Sequence, residues 1–390
     1  MNIELPRTVQ PLVLQGHVIN VLRQLPPESV QCVVTSPPYW GLRSYGTEPQ
    51  VWGGKDDCAH DWGNKSGYVV TASHGKTARV GNTVNNVTSG VRWWWWCVHC
   101  NAWRGELGQE PTPQLFIEHL TEVFREVRRV LRPDGTLWVN IGDSYAGYWG
   151  EKYAHKPFGA DRTPDASTPP SRPTIDFGAV GVKPKDLIGV PWMLAFALRD
   201  DGWWLRGDMV WSKPNRMPES VMDRPTRAHE YIFLFTKSER YYYDNTAVRQ
   251  PYSEATYERI NQPTFDEQEG GEKDGINPNR SAGKTLENLK TRIESSTGVL
   301  GANLGSVWSI PTHSYSGAHF ATFSPELPSR CILLGSKQND VILDPFAGSG
   351  TTLAVARKLN RRSIGIELNP KYIGLIENRP EAGVCVDDEY

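Results

Sequence analysis

The chain has 390 residues, enough for two or three domains' worth of structure and a large buried core. Its formal net charge of −2 excludes a global basic field, so any contact with nucleic acid has to be a local patch. No basic segment followed by an apolar one opens the sequence, and no apolar run reaches the ~18 residues of a membrane helix, so a soluble, cytoplasmic protein with no membrane partner is expected.

In chain order, Leu12-Val13-Leu14 predicts a strand, Val18 to Leu25 a short helix, and Cys32 to Thr35 a second strand. The second strand runs into Ser36-Pro37-Pro38-Tyr39-Trp40. Two prolines at a strand end forbid further ladder pairing and stiffen the backbone in an extended shape. A rigid loop with a hydroxyl, carbonyls without competing amide hydrogens and an exposed aromatic suits a planar ring that bears an amino group.

Cys58-Ala59-His60 and Cys97-Val98-His99-Cys100 follow. Each pair can close a chelate loop, and Cys58, His60, Cys97 and Cys100 together make a tetrahedral zinc set. His99 is a substitute ligand, and His74 has no assigned role. Four ligands leave no open position, so the site is structural; thiols unrelated to metal are the alternative. Between the pairs lie residues 63–90, rich in Gly, Asn, Ser and Thr, and then Trp93-Trp94-Trp95-Trp96. One strand face cannot bury four consecutive tryptophans. They either stack on unpaired bases or wedge into a duplex, or they pack on the metal knuckle and the main domain.

Thr112 or Pro113 starts a helix whose stripe is Leu115, Phe116, Leu120, Val123, Phe124, Val127, Val130 and Leu131, stopped by Pro133-Asp134-Gly135. Residues 135–141 predict a strand that delivers Asp143 to the sheet edge, either to orient a ligand or as a helix cap. Residues 146–182 are an irregular insertion. Asp186 to Leu198 predicts a helix, and Trp203 to Trp211 and Glu230 to Thr236 predict strands. Lys213, Arg216, Arg224, Arg227 and His229 crowd the intervening loop, which faces either phosphates or solvent. Residues 245–312 are polar and poor in apolar side chains.

The last unit is Val341-Ile342-Leu343, then Asp344-Pro345-Phe346-Ala347-Gly348-Ser349-Gly350-Thr351-Thr352, then apolar residues at helical spacing to Leu359. That is strand, glycine turn, helix. Gly348 and Gly350 let the backbone turn tightly beside a ligand, and the free N–H groups of the helix start face it. Arg362 to Glu367 predicts the next strand, with Glu367 at its C-terminal end where a carboxylate can grip two vicinal ribose hydroxyls. The unit is a nucleoside pocket at the carboxyl edge of a parallel sheet.

SPPY at 36–39 with DPFAGSGTT at 344–352, in that order and each after a strand, resembles the amino-group DNA methyltransferases in their circularly permuted β arrangement. The likeness covers most of the chain except residues near 50–100, 145–185 and 245–312. It implies an α/β fold, a doubly wound Rossmann-like sheet binding S-adenosylmethionine. The catalytic core would be residues 1–49, 105–244 and 313–390, with a zinc-knuckle insertion at 50–104 and a target-recognition region at 245–312. It implies cofactor contacts from Asp344, Pro345, Phe346, Gly348, Ser349, Gly350, Thr351, Glu367 and Asn369, with Phe320 and Phe323 capping the methionine part. Where the family usually carries an acid near the cofactor adenine, this chain has His17, read as a surface or helix-start residue.

The resemblance also implies catalysis by Ser36, Pro37, Pro38 and Tyr39. Tyr39 would stack on a flipped-out nucleotide, while Ser36 and the Pro37 carbonyl hold its amino group. Carbon-5 methylation would need a cysteine nucleophile, and Cys32 lies in the strand before the loop. In the family, Ser at the first loop position goes mostly with cytosine N4, with adenine N6 as the alternative. An inactive DNA-binding protein and a transferase acting on a protein amide are the readings from other classes. Double-stranded DNA is the implied partner, with room for a cognate restriction endonuclease.

Overall fold

The computed structural model of the protein describes residues 3–41, 45–63, 66–70, 90–146, 181–183, 185–216, 218–255, 258, 301–312 and 324–377. Residues 147–180 of the expected insertion at 146–182, most of the expected recognition region, and Phe320 and Phe323 lie outside the described residues.

The first sheet has eight strands: β1 (Leu12–Gln15), β2 (Val30–Thr35), β7 (Leu131–Ile141), β8 (Trp204–Ser212), β9 (His229–Thr236), β10 (Val307–Ser309), β11 (Val341–Asp344) and β12 (Arg362–Glu367). Their order is β1-β12-β11-β2-β7-β9-β8-β10. Strand β9 runs antiparallel to both its neighbours, and every other pairing is parallel. The helices are α1 (Val18–Leu22), α2 (Pro113–Val130), α3 (Val190–Asp200), α4 (Glu326–Gly335), α5 (Thr351–Lys358) and α6 (Pro370–Glu377). None among the described residues is long and apolar enough to cross a membrane.

The strands read as unbroken apolar runs because both faces are covered. Val33, Leu137, Val139, Phe233, Phe235 and Leu343 pack under α1, α2 and α3. Their neighbours Cys32, Val34, Trp138, Ile232, Leu234 and Ile342 pack under α4 and α5. The period of two along each strand thus builds a three-layer sandwich. Helix α2 starts where expected, since the Thr112 hydroxyl accepts the Leu115 N–H at 3.2 Å and Pro113 occupies the first turn. Phe116 and Phe124 on its stripe are fully buried, each worth roughly 1.5–3 kcal/mol.

Three expectations shift. Strand β7 begins at Leu131, and the Pro-Asp-Gly turn is absorbed as a register shift between the Val30–Leu131 and Cys32–Thr136 pairs. Helix α3 begins at Val190 rather than Asp186, because Leu187 bridges to Tyr145 and the helix start is capped by Asp143. Strand β10, Val307–Ser309 within the expected recognition region, joins the large sheet beside β8 and buries Trp308.

A second, antiparallel sheet lies within residues 50–105: β3 (Gln50–Trp52), β4 (Ser66–Val70), β5 (Gly90–Trp96) and β6 (Trp103–Gly105), in the order β3-β6-β5-β4. The tryptophan run forms the end of β5.

Candidate active site

In a doubly wound sheet the ligand crevice forms where neighbouring strands send their chains to opposite sides. Strands β11 and β2 are such a pair: from β11 the chain passes through α5 to β12, and from β2 it leads on to β7 across the sheet. A cavity of about 520 Å³ opens there, large enough for a nucleoside-sized ligand. It is lined by Ser36, Pro37, Pro38 and Tyr39 after β2, and by Asp344, Pro345, Phe346, Gly348, Ser349 and Thr351 after β11. Glu367 at the end of β12 completes that wall.

One buried hydrogen bond joins the two loops. Thr35 donates its hydroxyl to Asp344 Oδ1 at 2.7 Å, and the Phe346 amide donates to the same oxygen at 3.1 Å. Burial pushes the Asp344 carboxyl up to about 6, with these donors pulling it back. Gly348 and Gly350 take φ values of 54° and 76°, in the left-handed region where glycine costs little. Gly350 caps α5, and a Cβ there would lie 2.9 Å from Ile376.

Glu367 receives the Gly348 amide on Oε2 at 2.8 Å and the Asn369 amide on Oε1 at 2.7 Å. Burial raises its carboxyl to about 7. A folded-state value above the ordinary 4.5 means that the folded protein binds the extra proton between about 4.5 and 7, so ionisation costs stability as pH rises through that window. A ligand whose hydroxyls donate to the carboxylate favours the ionised form. Affinity for a ribose-bearing ligand is therefore expected to rise between pH 6 and 8 in the wild type relative to Glu367→Gln. Equilibrium dialysis of both proteins at each pH checks this, and parallel curves would remove Glu367 from the contact.

Asn369 lies behind the wall. Its Oδ1 accepts the Lys371 amide at 3.0 Å at the start of α6, and its Nδ2 donates to the Tyr45 carbonyl at 3.2 Å. It positions Glu367 and the loop at Tyr45 without lining the cavity.

Tyr39 occupies the far side. Its ring sits against Gly142, where a Cβ would come within 2.6 Å of it. Ser36 Oγ donates to the Tyr39 hydroxyl at 3.3 Å, and that hydroxyl donates to Glu230 Oε2 at 2.9 Å. Asn140 Nδ2 donates to Glu230 Oε2 and to the Tyr231 carbonyl, both at 3.2 Å. Glu230 is in turn paired with Lys213, whose ammonium lies 4.1 Å from the centre of the Trp211 ring. Burial, then the Glu230 charge, holds the Tyr39 hydroxyl well above its ordinary value, so it stays a proton donor. With Ser36 donating towards Tyr39, the Ser36 lone pairs are left to accept from a ligand.

Asn140 and Glu230 were not singled out in the sequence. The available signal was an acid beginning an otherwise apolar strand. Lys213 does not stand free for phosphate, since its loop is rich in acids: Arg224 pairs with Glu219 at 2.8 Å, and Arg227 with Asp143 at 3.6 Å. Asp143 is the cap of α3, its Oδ1 accepting the Gly189 and Val190 amides at 3.0 Å. His17 is the helix-start residue expected, but it faces the cavity rather than the outer surface. Its ring lies 4.5 Å from that of Trp52, and neither ring nitrogen has a partner among the described residues. Burial and the nearby Arg23 charge lower it to about 4, so the imidazole is neutral near pH 7.

A second constellation sits at the end of the small sheet. The ligand atoms of Cys58, His60, Cys97 and Cys100 all lie within 4.8 Å of one another. Cys58 and Cys97 Sγ are 3.7 Å apart, and Cys100 Sγ is 3.4 Å from His60 Nδ1. A tetrahedral zinc with its usual bond lengths has S···S and S···N edges of about 3.8 and 3.5 Å, so three thiols and one imidazole fit the ion. His99 is exposed and outside the set.

Residues 30–378 match the profile of the family described as DNA methylase, comprising N6 and N4 methyltransferases. The chain is 38% identical over 376 residues to the Type II methyltransferase M.XycI of Xanthomonas campestris pv. cyanopsidis, covering 95% of this chain and 89% of that protein. It is 38% identical to the Type II methyltransferase M.Cfr9I of Citrobacter freundii, over 94% of this chain and 86% of that one. The structure of PvuII DNA methyltransferase, described as cytosine-N4-specific, superposes with a TM-score of 0.50 at 15% identity, covering 98% of this chain and 94% of that one. At that identity the likeness is one of fold.

Proposed function

The chain belongs to the DNA methylase family of N6 and N4 amino-group methyltransferases, and on that premise we propose that it transfers a methyl group from S-adenosylmethionine to the N4 amino group of a flipped-out cytosine in double-stranded DNA. The observation that carries the proposal is the single cavity shared by the Ser36–Tyr39 loop and the Asp344–Thr351 turn, tied together through Thr35 and Asp344.

The cofactor fits the Glu367 side. Two carboxylate oxygens held by backbone amides keep further lone pairs for ribose hydroxyls, and Gly348 allows close approach of the backbone. When bound, S-adenosylmethionine supplies an electrophilic methyl on a sulfonium. The protein's work is positional and electrostatic. Ser36 Oγ and the Pro37 carbonyl accept hydrogen bonds from the base amino group, and the Tyr39 ring offers a stacking face. Glu230 and Lys213 hold the Tyr39 hydroxyl in place. A base in a duplex is out of reach of such a loop, which is the reason for proposing flipping. Ser36, whose small hydroxyl suffices for the cytosine amino group, favours cytosine over adenine.

The strand that feeds the Ser36 loop precedes the strand that feeds the glycine turn in sequence, yet the two are neighbours in the sheet, which supports a circularly permuted core. Residues 245–312 are proposed to contain the sequence-recognition region, Cys58, His60, Cys97 and Cys100 to hold structural zinc, and a cognate restriction endonuclease is proposed as the genetic partner. The two similar proteins are described as Type II methyltransferases.

The test is expression in a host without its own DNA methylation, followed by digestion to nucleosides and mass spectrometry. N4-methylcytosine is expected. Methyladenine would keep the mechanism and overturn the choice of base. No methylated nucleoside, from a protein that still binds S-adenosylmethionine, would favour a binding role.

A further inference from the structure

The zinc ligands and the cavity share a set of strands, and that sharing has a thermodynamic consequence. Cys97 follows directly on β5, and the turn Cys97–Ala102, closed by the Cys97 amide on the Ala102 carbonyl at 2.8 Å, leads into β6. Strand β6 pairs with β3 through Trp103–Trp52 and Gly105–Gln50. Trp52 and Gln50 on β3, and Glu106 and Leu107 just after β6, line the cavity on its His17 side.

From Trp52 the chain reaches Cys58 in six residues. Gly53 and Gly54, both at positive φ, turn it back over the knuckle. The fit is tight there, since a Cβ on Gly54 would lie 2.6 Å from Ala102 Cβ and 2.8 Å from Cys100 Sγ. Trp52 itself is buried between two imidazoles, 4.5 Å from His17 and 5.5 Å from His119. Apart from the ligand set, residues 58–63 are tied to the knuckle by two backbone hydrogen bonds, the Val98 amide to the Asp61 carbonyl at 2.9 Å and the Gly63 amide to the Trp96 carbonyl at 3.1 Å, which together make the Trp62–Cys97 bridge.

We infer that zinc held by Cys58, His60, Cys97 and Cys100 clamps the Trp52 wall of the cavity, so that metal and S-adenosylmethionine bind cooperatively. Without the ion, four ligand groups lose the centre that draws them together, and the turn at Gly53-Gly54 is left with the exposed Arg23–Asp56 pair at 3.2 Å, worth little in water, and the Trp52 Nε1 bond to the Gly105 carbonyl at 3.3 Å. Strand β3 has three residues and pairs only with β6, so it inherits that freedom. A wall that must be ordered by the ligand makes binding weaker, and by reciprocity the bound ligand tightens the metal. The zinc acts through Trp52 and is a positioning element with no part in the chemistry. This inference rests on the readings of the cavity as the cofactor site and of the cluster as a zinc site, and the experiment separates the three.

Full-length protein purified without added metal is assayed for zinc by atomic emission. S-adenosylmethionine affinity is then measured by equilibrium dialysis before stripping with a chelator, after stripping, and after reloading with zinc. One zinc per chain is expected, with a roughly 10-fold loss of affinity on stripping, restored on reloading, and an unchanged far-ultraviolet circular dichroism spectrum. His60→Ala should reproduce the stripped affinity, and His60→Cys, which keeps four ligands, should retain the loaded one. Cobalt loading should give the visible absorption of a tetrahedral thiolate site. Zinc present with affinity unchanged on removal would leave the metal site and overturn the clamp. Absence of metal from a protein that binds the cofactor would overturn both the metal site and the clamp. No cofactor binding by the zinc-loaded protein would overturn the cavity reading and the clamp, and loss of the circular dichroism signal on stripping would replace a local clamp by a global fold requirement.

Discussion

Gly350→Val is expected to abolish cofactor binding, raising the dissociation constant at least ~100-fold. The residue sits at φ 76°, which a β-branched side chain adopts only with about 1–3 kcal/mol of strain. Its Cβ would also lie 2.9 Å from Ile376 Cγ2, a position held by α6, so the neighbour cannot simply swing away. The backbone would relax by moving the turn. That turn carries the Gly348 amide that holds Glu367 at 2.8 Å and the start of α5. Equilibrium dialysis with S-adenosylmethionine measures the effect, with circular dichroism to establish that the sheet persists. Gly350→Ala suffers the same φ penalty with a smaller clash and should fall between the two. An affinity for the valine variant within a few-fold of wild type would mean that the cofactor does not use this turn.

Tyr39→Ala is expected to do the reverse, cutting single-turnover methylation of unmethylated DNA by roughly 100- to 1,000-fold while cofactor affinity changes little, the size seen when one preorganised transition-state contact is removed. The ring leaves the Ser36 loop, and the hydroxyl leaves Ser36 and Glu230, whose bonds of 3.3 and 2.9 Å fix the direction of the Ser36 proton. Tyr39→Phe separates the two roles. It keeps the ring against Gly142 and leaves the partly buried Glu230–Lys213 pair without its hydroxyl, so a loss of about 10-fold is expected. If both variants lost cofactor affinity and turnover in equal measure, the division of the cavity between Glu367 and Tyr39 would be wrong.

The sequence by itself determined the local units. Apolar runs of strand length, prolines and glycines at their ends, and the stripe of α2 each state a backbone conformation within a few residues. The Ser36-Pro37-Pro38-Tyr39 loop, the Asp344–Thr351 turn and Glu367, which line one cavity, were therefore legible as candidate site residues from their local sequence. So was the Cys58, His60, Cys97 and Cys100 cluster, because each chelating pair is close in sequence.

Only the tertiary structure decided how side chains from distant strands meet. Thr35 and Asp344 are 309 residues apart, and Tyr39 and Glu230 are 191 apart. Their contacts follow from the order β11-β2-β7-β9, which no local periodicity encodes. The same order gave Lys213 an acid partner, turned Asp143 into the cap of α3, and drew 307–309 into the sheet beside β8. His17 is the clearest case. Its position at a helix start was readable from its neighbours, but its burial against Trp52, which keeps it neutral, depends on a small sheet folded back from 35 residues further along the chain. Backbone conformation is set by neighbours along the chain, whereas protonation and hydrogen bonding are set by neighbours in space.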